Sequence, residues 1–174
     1  MNEAQIRQAF EYINRTGEYF CHMTEAQDDY IAYAAEADIE MLRRERMIID
    51  VTFYLDLNTT VFAMLLSEGF WGDNLHLMNG LLLQINSVTR GGAFALWPNS
   101  SEIVFKYDYP TEYLNPQRIL HILRYFEQVF KGIRPKLELF AGDLGLHYIS
   151  DAEKTEMARN LDWYFRGLES SLKS

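Results

Sequence analysis

Two hydrophobic periodicities alternate along the chain, one near 3.6 residues and one of two, and together they outline its elements. Ile6, Phe10 and Ile13 lie four and three apart, which predicts a first helix capped by Asn2 and ended by Gly17. Residues 18–46 read less plainly. Ala34 to Arg46 is rich in helix formers, whereas Asp28 to Tyr33 also fits a strand, and the composition favours a helix over about 25–45. From Met47 to Leu57 apolar residues fall at every second position, the signature of a strand with one face buried. Asn58-Thr59 turns the chain into a second strand, Thr60 to Leu66.

Asp73 or Asn74 is placed to cap a helix running to about residue 87, with Leu75, Met78, Leu82 and Ile85 on one stripe. Leu77, Leu81 and Val88 widen that stripe beyond what one sheet should cover. After Gly91-Gly92 a hairpin is expected, with Phe94, Leu96, Ile103, Phe105 and Tyr107 inward and Pro98 to Ser101 in the turn. Asn115-Pro116 opens a further helix that should stop at Gly132, because Pro135 prevents it from resuming. Ser150 and Glu153 form a capping box for a last helix with Met157, Leu161, Tyr164, Phe165, Leu168 and Leu172 on one side. Strands and helices come in blocks, so the expected class is α+β, with helices packed on an antiparallel sheet. Residues 1–135 would make the domain. Residues 136–174 would be a C-terminal extension whose one amphipathic helix packs on the domain or on a partner.

Composition narrows the function classes. The 174 residues carry 16 Lys and Arg against 25 Asp and Glu, a net charge of −9 that disfavours nucleic acid and anionic lipid. One cysteine, Cys21, excludes an intrachain disulfide framework and fits a reducing compartment. No secretory signal opens the chain, and its densest apolar run, Val61 to Leu66, is too short to span a bilayer. A cytoplasmic protein is expected.

Motifs for chemistry are scarce. No glycine-rich phosphate loop occurs, and His22, His76, His121 and His147 are too dispersed for a metal site of local spacing. Cys21 and His22 are adjacent, so in a strand they point apart, which suits a buried thiol better than a nucleophile and its base. No catalytic residue, metal or cofactor is expected. The aromatic pair Phe70-Trp71, flanked by Gly69 and Gly72, stands out. Together with Leu75, Met78 and Leu82 it is the expected protein interface, since aromatic anchors and surplus apolar helix surface favour association.

Thr60 to Glu68, a leucine-rich helix ending in Leu83-Gln84-Ile85-Asn86, the hairpin from Gly92 to Tyr109 and the helix over 115–131 form a recognisable series. Over about residues 47–131 the chain resembles the YbjN-type sensory transduction regulators, whose fold is like that of the class I type III secretion chaperones. The resemblance implies an acidic, cytoplasmic, chaperone-like regulator or adaptor that binds protein as a homodimer, and it brings no catalytic residues. Two other readings stand beside it. One is a small enzyme or ligand-binding protein with a site assembled from distant His, Cys and carboxylates. The other is an acidic secretion or toxin-neutralising partner.

Overall fold

The computed structural model describes residues 1–39, 46–67, 74–96 and 102–141, together with the isolated positions Ala152, Thr155, Glu156, Arg159 and Arg166; the side chains of 67, 74–78 and 137–141 are excepted. The first helix, α1 (Glu3–Thr16), begins with a reciprocal cap. The Asn2 side chain accepts from the Gln5 amide, and the Gln5 side chain accepts from the Asn2 amide, both at 2.9 Å. Gly17 ends it at φ +74°, a left-handed conformation that costs glycine nothing. Ile6, Ala9, Phe10 and Ile13 form the buried stripe.

Four strands follow: β1 (Phe20–Ala26), β2 (Tyr30–Ala37), β3 (Met47–Tyr54) and β4 (Thr59–Ser67). Then come α2 (Asn74–Asn86), β5 (Ala93–Leu96), β6 (Ile103–Pro110), a single 3-10 turn over Thr111–Tyr113, and α3 (Pro116–Ala141). The six strands make one antiparallel sheet in the order β1-β2-β3-β4-β6-β5. The class is therefore α+β, as the block pattern predicts.

Three expectations are corrected. The helix over 25–45 is instead β1 and β2 as far as residue 37, and residues 40–45 lie outside the described residues. Alanine favours helix only when nothing else competes. Here β2 is flanked on both sides by strands, and its small residues let Tyr33 stack on Phe10 of α1 at 4.0 Å. The strand expected to reach Leu57 stops at Tyr54, and Leu57 is 66% exposed in the turn, which Asn58 closes at φ +49°. Finally, α3 runs through Gly132 and Pro135 to Ala141, past the 135/136 division. Ile133 is fully buried and continues the stripe of Ile119, Ile122, Leu123, Phe126, Val129 and Phe130, while Gly132 and Pro135 face solvent. Proline's missing N–H then orphans a carbonyl that water can reach, and the buried stripe outweighs it.

The turn at 98–101 and the capping box at Ser150 and Glu153 lie outside the described residues. The five described positions beyond residue 150 are helical and exposed.

One core unites the elements. Phe62 and Phe105 of the sheet meet Phe126 of α3, at 6.3 and 4.9 Å between ring centroids, and Phe10 meets Phe53 edge-on at 6.0 Å. Two asparagines tie helices to strands in the same manner. Asn14 of α1 bonds both the N–H and the C=O of Cys21, and Asn86 of α2 does the same for Phe94. Each amide supplies one donor and one acceptor, and so substitutes for a missing neighbour strand. The buried hydroxyls of Thr60 and Thr111 pair at 2.8 Å. Arg124 of α3 holds Glu18 through its Nε at 2.7 Å, which keeps the Glu18 carboxyl below its usual range.

Candidate protein-binding face

Side chains alternate across a sheet, so residues that miss the helix-covered core necessarily make a second face. On that face β3 contributes Asp50, Thr52 and Tyr54, β4 contributes Thr59, Val61, Ala63 and Leu65, β6 contributes Val104, Lys106 and Asp108, and Glu102 stands just before β6. These residues and Leu57 line a shallow depression of about 670 Å³. Among the described residues, the helices that contribute to the core lie on the other face, where Met47, Ile49, Val51, Phe53, Phe62 and Met64 are completely buried.

The register fixes the layout. Ala63 sits between Asp50 on β3 and Lys106 on β6, and Val61 sits between Thr52 and Asp108. Leu65 pairs with Val104, which is only 6% exposed. The floor along β4 is thus small and apolar, and the charges stand on the strands beside it. Lys106 reaches Asp108 at 3.2 Å. The named rim holds three carboxylates and one ammonium, so its local sign repeats that of the whole chain. From Thr59 to Met64 the backbone groups of β4 are taken up by ladders on both sides. A ligand over that stretch is held by side chains, through apolar contact and charge.

Of the interface residues expected from the sequence, Phe70 and Trp71 lie outside the described residues, as do the side chains of Leu75 and Met78. Leu82 is 4% exposed and packs in the chain's own core with Leu81 and Ile85. The neighbouring Leu83 is the exposed member of α2, at 71%. The face on β4 had a signal in the sequence. β3 alternates apolar and polar residues, whereas Val61 to Leu66 is apolar at every position. An unbroken apolar strand is apolar on both faces, and only one of them can look into a single core.

The Cys21–His22 pair divides as a strand requires. Cys21 is buried beneath α1, while His22 points outward with Nδ1 3.6 Å from Glu36. Burial pushes the Cys21 thiol up to about 12. At pH 8 only about one molecule in ten thousand would carry the reactive thiolate. Labelling with an aromatic disulfide reagent should therefore be at least ~100-fold slower in the native protein than in denaturant, followed by absorbance. Immediate stoichiometric labelling of the folded protein would revive the nucleophile reading. Among the described residues, no three His, Cys, Asp or Glu side chains gather as a metal site would need. Nor is any described helix long and apolar enough to cross a membrane.

A second depression, of about 480 Å³, lies at the ends of β1 and β2 among Glu18, Glu36, Asp38 and Arg46. Glu36 is already spanned there by His22 and by Arg46, the latter at 3.5 Å. The β4 face is thus the better candidate. Compared with family models, with curated proteins and with solved structures, the chain matches none.

Proposed function

We propose that this protein is a non-enzymatic protein-binding module, a chaperone-like regulator or adaptor that acts in the cytoplasm as a homodimer. The observation that carries the reading is the face over β3, β4 and β6, which offers an apolar floor and a charged rim but no assembled reactive groups. Val61, Ala63 and Leu65 are half-buried there, and an accessible apolar strip rimmed by polar residues is the kind of surface that marks protein recognition. The order strand, strand, helix, hairpin, helix over residues 47–131 is the pattern on which the resemblance to the YbjN-type regulators rests, and it lends the same support.

Two measurements test the proposal. Light scattering behind a sizing column should report about twice the 20.4 kDa chain mass at micromolar concentration. A monomer throughout that range rejects the homodimer. The binding role is tested by capturing partners from the producing cells and then measuring each purified partner against the purified protein. At least one should bind at micromolar affinity or better, and failure of every binary interaction rejects the role.

A further inference from the structure

We propose that the β4 face docks a cationic amphipathic helix of a partner protein, apolar side down along β4. This rests on the reading of the protein as a binding module and specifies the partner's chemistry. The shape argues for a helix. The three strands β3, β4 and β6 are consecutive neighbours, so the outer two stand roughly 10 Å apart, close to the 10–12 Å diameter of a helix with its side chains. The nine residues of β4 extend about 30 Å, the length of a helix of roughly twenty residues. Ala63 lowers the middle of the floor between Val61 and Leu65, which leaves room for a cylinder rather than a flat sheet.

Charge decides the partner's flanks. A helix lying along β4 turns its sides toward β3, with Asp50, and toward β6, with Lys106 and Asp108 on the strand and Glu102 just before it. The carboxylates outnumber the ammonium on those strands, so Lys and Arg beside the apolar stripe gain attraction while Asp and Glu meet repulsion. The same rim argues against a second copy of this chain, because a twofold contact would bring like rims together.

The test uses the full-length protein and a fluorescent peptide of about 18 residues with Leu at helical spacing and Lys and Arg elsewhere, beside a twin bearing Glu in their place. In anisotropy measurements the cationic peptide should bind and the acidic twin should not. Its affinity should fall about tenfold between roughly 50 and 500 mM salt. Ala63→Arg should weaken binding at least tenfold, with the circular dichroism melt retained, because residue 63 lies off the core. Asp50→Asn with Asp108→Asn should weaken it several-fold and flatten the salt response. Glu3→Gln with Glu11→Gln removes the same charge from α1 and should change nothing.

Equal losses from the two charge pairs, or binding indifferent to Ala63→Arg, would show unspecific attraction and overturn the proposal. A dimer that Ala63→Arg dissolves would assign the face to a second copy. Faster proteolysis within residues 142–174 on that substitution would assign it to the chain's own C-terminal segment. Either result overturns the cationic partner. A purified partner whose binding ignores Ala63→Arg would leave the binding-module role standing and this face wrong.

Discussion

Phe105→Ala should remove a large share of the stability of this protein. The ring is completely buried on β6 and contacts three others: Phe94 at 4.8 Å, Phe126 at 4.9 Å and Tyr125 at 6.1 Å between centroids. It is therefore a main point at which the β5–β6 hairpin is fastened to α3. Truncating such a ring loses its burial and leaves a cavity that three other rings cannot close without leaving their rotamers, a cost of about 3–5 kcal/mol. Domains of this size retain only about 5–15 kcal/mol in total. The melting temperature should fall by roughly 6–20 °C, at ~2–4 °C per kcal/mol. A loss under ~1 kcal/mol in a urea titration would mean that the hairpin is not packed on α3 through this ring.

Gly92→Ala comes second, and it couples to the first. Gly92 has φ +130°, a backbone conformation that residues with a side chain rarely adopt. A Cβ there would stand 2.6 Å from Cζ of Phe105 and 2.8 Å from the Lys106 carbonyl oxygen. The ring could swing away, but the carbonyl belongs to a strand and has nowhere to go. Backbone strain of about 1–3 kcal/mol adds to overpacking of similar size, so the expected cost is ~2–6 kcal/mol. In the double variant with Phe105→Ala the ring clash disappears and the carbonyl clash remains. The two changes should therefore sum to less than their separate costs by roughly 0.5–3 kcal/mol, the range for residues in contact. Full additivity would show that the glycine does not answer to the Phe105 ring.

The Gly91-Gly92 break was plain from composition, but not what the second glycine touches. Phe105 and Lys106 are thirteen and fourteen residues away in sequence, and only the pairing of β5 with β6 brings them alongside. Element boundaries divide in the same way. α1 was readable at both ends because its signals are local: an asparagine cap, a three-residue reciprocal bond, and a glycine at the stop. The Asn115-Pro116 start of α3 was readable too, and Asn115 does accept from the Arg118 amide at 2.8 Å. The end of α3 was not, because whether Pro135 breaks a helix depends on whether its missing bond falls toward water or toward the core. β2 reads as helix in the sequence for a related cause. Its alanines carry little preference strong enough to resist two flanking strands and a stacked tyrosine.

By itself, then, the order of residues determined the α+β class, the acidic charge, the positions of α1, β3, β4, α2 and the β5–β6 hairpin, and the inward residues Phe94, Ile103 and Phe105. Each of these depends on neighbours within a few positions, where spacing and capping act directly. Tertiary structure alone decided that β6 inserts beside β4 ahead of β5, and that the helices of the core share one side of the sheet. It also decided which half of the apolar run Val61 to Leu66 faces inward. Phe62, Met64 and Leu66 go to the core, and Val61, Ala63 and Leu65 are left as the floor of the candidate binding face. Both halves are apolar in sequence. What separates them is the pairing of Met64 with Ile49 and Phe105, which joins β4 to its neighbours in one register and so commits each side chain to one side.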